Sequence, residues 1–157
     1  MRDQPYLQTS ILDRLIDREP DEPAEPVRRR LATLASVGDS VLRDLENLLN
    51  ARRNERCLPE RDRQAQASIL GYGAPDYSSQ DPRSHQVRQQ IRLEIQRLLQ
   101  LFEPRLRNVT VRLDTLSHPE RALHFRIDAV LLAEPATVPI TFDTRFDINS
   151  GAYSVFK

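Results

Sequence analysis

The sequence predicts an α+β fold in which N-terminal helices pack on a mostly antiparallel sheet of about four strands, and two patterns carry that prediction. Up to Phe102, apolar residues recur at helical spacing, as in Val87, Ile91, Ile95, Leu98, Leu99 and Phe102. From Val109 onward they alternate, Val109, Val111 and Leu113 against Thr110, Arg112 and Asp114, which is the period of a strand with one buried face. Helices first and strands afterwards define this class.

Taken in order, Ser10 to Asp17 reads as a short amphipathic helix with Ile11, Leu12, Leu15 and Ile16 on one side and Ser10 as cap, expected to pack on the main body. The stretch 19–26 is acidic and rich in proline, the composition of an extended linker. Ser40 to Arg53 forms the second helix, with Val41, Leu42, Leu45, Leu48 and Leu49 as its apolar stripe and Asp39 or Ser40 as cap. Arg52 and Arg53 fall in its last turn, where cations complement the helix dipole. Between Asn54 and Gln80 the pattern weakens to a loop anchored by Ile69, Leu70 and Tyr72. Asp81 and Pro82 then open a long third helix that runs to Phe102.

Pro104 disfavours helical geometry at Glu103, so the chain turns at Glu103-Pro104-Arg105. Four strands follow, over 106–116, 121–133, 138–144 and 152–156. The second is apolar on both faces from Ala129 to Leu132, as expected where one end of a strand is covered on both sides. At 157 residues the chain makes a single domain, 1–157, with one core.

Composition narrows the function. The 23 basic and 23 acidic side chains cancel, leaving no overall field to draw the chain to nucleic acid or an anionic membrane. Nothing approaches the roughly 20 apolar residues of a membrane span, and the N-terminus lacks the apolar core of a signal peptide, so a cytoplasmic location is expected. A lone Cys57 excludes an internal disulfide, and His85, His118 and His124 are scattered without metal spacing. No nucleophile elbow or phosphate-binding glycine loop is present, so no catalytic residue, cofactor or metal is expected.

What remains is Glu103-Pro104-Arg105, two opposite charges at a fixed corner between a helix and a sheet. Such a corner suits recognition of another protein, and equally an ordinary surface turn. Buried against a partner, either charge would cost about 2–5 kcal/mol to truncate, because its mate would be left desolvated.

Three segments in order, Asp44 to Arg53, Ser68 to Asp76 and Phe102 to Leu106, together with Ile11 to Leu15 and Thr141 to Thr144, give the chain a resemblance over nearly its whole length. It resembles the TssE family of type VI secretion system baseplate wedge subunits, within the lysozyme-like baseplate wedge family of contractile tails. Gly71 and Ala74 depart from the family by standing where bulkier residues are more usual. The resemblance implies a structural, non-catalytic part that docks on other wedge subunits through Glu103, Pro104 and Arg105, and that starts contractile sheath assembly by sheet pairing. Two rival readings exist: a cytoplasmic adaptor that masks a regulator through the acidic linker, and a peptidoglycan muramidase with Glu103 as acid.

Overall fold

The structure, a computed structural model, describes residues 33–54, 61–77, 79–81, 84–114, 122–133 and 136–157, with Ile11, Leu15 and Ile16 ahead of them. The acidic stretch 19–26, most of the N-terminal helix, Cys57, Pro82 and His118 lie outside the described residues. Ile11 and Leu15 are 78% and 75% exposed, so these two side chains do not make the packing expected of them.

Helix α1 spans Leu34–Asn50, six residues earlier at its start and three shorter at its end than the sequence suggests. Its cap is Thr33, whose side chain accepts from the Ser36 N–H while the Ser36 hydroxyl accepts from the Thr33 N–H. This reciprocal box satisfies two donors that every helix start leaves open. Gly38 makes the first two turns look like loop in sequence. It is placed there for contact: Lys157 Nζ bonds Asp39 Oδ1 at 2.6 Å, and a Cβ on Gly38 would lie 2.8 Å from that Nζ. Because α1 stops at Asn50, Arg52 and Arg53 are not in its last turn and do not serve its dipole. Arg53 instead reaches across to Glu94, at 2.6 Å.

The expected loop contains a short helix α2, Arg63–Gln66, and a 3-10 turn, Ile69–Gly71. Its anchors are the small residues, because the backbone comes close to α1's exit. Arg53 N–H donates to Ala74 O and Ala74 N–H to Ala51 O, at 3.0 and 2.8 Å. Gly73 has φ +96, and a Cβ there would stand 2.3 Å from Ala51 O, which only glycine avoids. A Cβ on Gly71 would lie 2.0 Å from Gln66 O, so a larger residue does not fit this turn. Ile69 and Leu70, expected as anchors, point outward instead, 87% and 51% exposed.

Helix α3 covers His85–Phe102, beginning after Ser84 rather than at Asp81. Its buried face is Ile91, Ile95, Leu98 and Leu99. Four strands then follow in space as in sequence, all antiparallel: β1 Leu106–Asp114, β2 Ala122–Ala133, β3 Ala136–Asp147 and β4 Tyr153–Phe156. The α+β class and the order helices then strands are therefore as predicted. In β1 the register shifts between Arg107 and Thr110, where Asn108 takes a left-handed φ of 52°. This bulge explains why Leu106 and Val109, three apart, both face inward.

Both long helices cover one face of the sheet. The core there joins Val41, Leu45 and Leu49 of α1 and Ile91, Ile95 and Leu98 of α3 to Val111, Phe125, Ile127 and Phe142 of the strands. The other face carries Arg112, Arg126 and Asp143 side by side, with Arg126 Nε 3.0 Å from Asp143 Oδ1. In β2, Val130 and Leu132 lie on that outer face and are half-buried, matching the doubly apolar stretch read there.

Candidate docking site

The corner after α3 is fixed by backbone before any side chain acts. Glu103 N–H donates to Leu99 O, Leu106 N–H to Glu103 O and Leu132 N–H to Arg105 O, at 3.0, 3.1 and 2.8 Å. Pro104 sits at the exposed tip between them.

The two charges do not both face solvent. Glu103 is 4% exposed, and its carboxylate is engaged by its neighbour in a fork: Arg105 Nε donates to Oε1 and Arg105 Nη2 to Oε2, each at 2.6 Å. A planar guanidinium matches two carboxylate oxygens at once, so the pair is oriented as well as attracted. Arg105 Nη2 also donates to Asp44 Oδ2 at 2.6 Å and Nη1 to Ser40 Oγ at 3.2 Å, both on α1. Arg43 completes the cluster, with Nη2 3.3 Å from Asp44 Oδ1. The hydrogen bonds Arg105 donates to Glu103, with the charge of Glu103 and the bond and charge of Asp44, outweigh the opposing effect of partial burial and hold the guanidinium protonated far above the ordinary arginine range.

Glu103, Pro104 and Arg105 are thus together, as the sequence has them, in unequal roles. Glu103 is a buried buttress, Pro104 an exposed tip, and Arg105 a half-exposed head whose side chain keeps 27% of its surface. A guanidinium has five N–H donors. Four are spent here, on Glu103 twice, on Asp44 and on Ser40, and among the described residues one on Nη1 is left to face outward. Sequence reasoning missed Asp44, Ser40 and Arg43, which lie about 61 positions away along the chain. The one available signal was that Asp44 opens a segment carrying the resemblance.

A second charged cluster lies on α3. Glu94 takes Arg53 Nη1 at 2.6 Å and Arg97 in a fork at 2.7 and 3.0 Å. Burial works against its ionised form, but the bonds and charges from Arg97 and Arg53 outweigh that and hold the carboxyl below its ordinary range. Beside it, burial pushes the Tyr77 phenol up to about 12. Glu94 is thus shared between Arg53 and Arg97, which ties the segment after α1 to α3.

Among the described residues no group of three or more His, Cys, Asp or Glu side chains is placed to hold a metal ion, and no helix is long and apolar enough to cross a membrane. The described residues thus form helices on one face of a four-stranded sheet, with a rigid corner after α3 whose charges offset one another. The family described as "Baseplate wedge protein gp25" matches residues 35–136, from the second residue of α1 to the start of β3, and the chain belongs to that family of structural baseplate subunits. Among curated proteins none matches the chain.

Proposed function

We propose that this chain is a non-catalytic, cytoplasmic baseplate subunit of a type VI secretion system that docks on other wedge subunits through the Pro104-Arg105 corner and starts contractile sheath assembly. The observation that carries the docking role is the way Arg105 is held. Glu103 and Asp44 fix the guanidinium before any partner arrives, so docking does not pay to order a long side chain. Glu103 is the positioning residue of this site, with Pro104 and Arg105 as its contact surface.

Support for sheath assembly comes from the sheet edges. Strand β4 pairs only with Asp143 to Phe146 of β3, so the stretch of β3 from Ala136 to Phe142 has no partner on that side among the described residues. An open strand edge accepts another chain's strand through main-chain hydrogen bonds. Pro139 lies within this stretch and removes one donor, which limits the register a partner strand can take. The muramidase reading meets a direct obstacle: Glu103 is enclosed and both its oxygens are engaged by Arg105, leaving no carboxyl free to protonate a glycosidic oxygen.

The test is binding of the purified full chain to the purified wedge subunits of the same contractile system, followed by electron microscopy of sheath assembly. Wild-type chain should bind and seed sheath. Arg105→Lys, which keeps the charge and loses the fork, should melt lower than wild type and, measured at a temperature where it is still folded, bind at least about tenfold more weakly. A wild-type chain that neither binds wedge subunits nor seeds sheath overturns the proposal.

A further inference from the structure

Resting on that docking role, the charged corner has too little left to offer to supply the affinity itself. Glu103 is enclosed and Arg105 keeps one outward N–H, so a partner gains a single hydrogen bond and the shape of Pro104. Stable interfaces place most of their energy in a few well-buried apolar or aromatic anchors, with polar contacts around them.

Such anchors stand beside the corner. Tyr72 and Phe102, the residue just before Glu103, meet edge to face with ring centroids 5.3 Å apart. Through Phe102 this pair leads straight to Glu103, and the Tyr72 phenol is raised above its ordinary range by burial and then by the charges of Asp44 and Glu103. The 3-10 turn that leads into Tyr72 presents Ile69 and Leu70, 87% and 51% exposed, and Tyr72 itself is 36% exposed. This is an unusual way to leave large aliphatic side chains, because the turn is rigid. Ser68 Oγ accepts from the Leu70 N–H, Gly71 N–H donates to Ser68 O, and the Ala51–Ala74 contact pins the far end. Arg61 and Arg63 flank the turn and are exposed, while Asp62 between them spends its carboxylate on the Ala65 N–H.

We infer that Ile69, Leu70 and Tyr72 form an apolar anchor that joins the Glu103-Pro104-Arg105 corner through Phe102, and that its occupant is an apolar ridge of another wedge subunit edged by carboxylates. The apolar ridge covers the two aliphatics. One carboxylate oxygen takes the outward Nη1 hydrogen of Arg105, and acidic residues further along face Arg61 and Arg63. A basic or uniformly polar surface would leave the aliphatics wet and the arginines opposed.

The experiment measures binding of the purified full chain to the purified wedge subunits of its contractile system. Ile69→Ser with Leu70→Ser, both at solvent-facing positions, should leave the melting transition in place and weaken binding by about tenfold or more. A photo-crosslinking residue at position 70 should join the chain to an apolar, acid-edged segment of a wedge subunit. If Arg105→Lys loses binding while the double serine variant binds as wild type does, the anchor is refuted and the docking corner stands. If wild type does not bind at all, the docking reading itself fails. A crosslink from position 70 to a second copy of this chain, or to its own residues 1–32, overturns the assignment of the occupant.

Discussion

Arg105 Nη2 and Asp44 Oδ2 stand 2.6 Å apart and join the corner after α3 to the middle of α1. The same guanidinium is forked on Glu103, so one head group ties together three points of the chain. Arg105→Ala leaves Glu103 enclosed, stripped of its guanidinium donors and keeping only the backbone N–H of residue 105 at 3.3 Å, an expected cost of about 3–5 kcal/mol. Asp44→Asn removes a partner whose side chain is 29% exposed, with an expected cost of about 1 kcal/mol. Glu103→Leu combined with Arg105→Leu should cost clearly less than Arg105→Ala, because no charge is left buried alone. Urea unfolding midpoints at neutral pH check all three, and an Arg105→Ala variant as stable as wild type would refute the buttress.

Acid should loosen the seam between Arg53, Glu94 and Arg97. The Glu94 carboxyl is depressed from its ordinary value of 4.5, so its contribution is complete above that value and is lost as pH falls through the lower value it has in the folded state. In Glu94→Gln the stability at pH 7 is lower, and the further loss between pH 5 and about pH 2 is smaller than in wild type. Equal acid slopes for the two proteins, read from urea midpoints across that range, would remove Glu94 from the account.

Alkali acts on the neighbouring phenols. Burial and the charge of Glu94 raise Tyr77 from 10.0 to about 12, and burial raises Tyr153 further still. A raised value means that the contribution is complete below pH 10 and falls away as pH rises towards 12, since the unfolded phenol ionises first. Tyr77→Phe should therefore flatten the loss of stability between pH 10 and 12. Spectrophotometric titration, following phenolate absorbance, should show one fewer late-ionising tyrosine in the variant than in wild type.

Much of this fold is legible in the sequence because its patterns are local. The stripe Ile91, Ile95, Leu98 and Leu99 has one reading, and the alternation of Leu123, Phe125 and Ile127 has one reading. Where reading fails, a distant contact decides. Gly38 argues against helix by propensity, yet it lies inside α1 with Lys157 against it, more than a hundred residues away in sequence. Ile69 and Leu70 look like anchors by hydropathy, but the close approach of Ala51 and Ala74 selects Gly71 and Gly73 for the inside and turns the aliphatics out. The corner was visible as Glu103-Pro104-Arg105. The burial of one charge beneath the other was not, because it depends on Ser40 and Asp44 of α1.

Thr144 faces the core of β3 opposite Phe125 and Val155 and is 1% exposed, yet its hydroxyl has no hydrogen-bond partner among the described residues. A buried hydroxyl without a partner costs about 1–3 kcal/mol in lost hydration. Valine has the same branching at Cβ and suits a strand, so Thr144→Val should raise stability by about 1 kcal/mol. Thermal melts decide the matter, and a variant that melts lower than wild type would show that the hydroxyl is bonded.

Asn50, the last residue of α1, acts towards β4 as a strand would. Its Nδ2 donates to Tyr153 O and its Oδ1 accepts from Tyr153 N–H, each at 2.8 Å, reproducing with one amide the paired bonds of an antiparallel ladder. Strand β4 has four residues and pairs with four of β3, so these two bonds are a large part of what holds it. Asn50→Ala removes both and should cost about 1–3 kcal/mol, and Asn50→Asp, which keeps the acceptor and loses the donor, should also destabilise. Because the loss falls on β4, amide exchange at Tyr153 and Val155 should accelerate more than exchange at Phe125 and Ile127 in the middle of the sheet. If exchange in the Asn50→Ala variant rises by the same factor in β2 and β4, the amide is a general support of the core and does not act as the edge partner of the last strand.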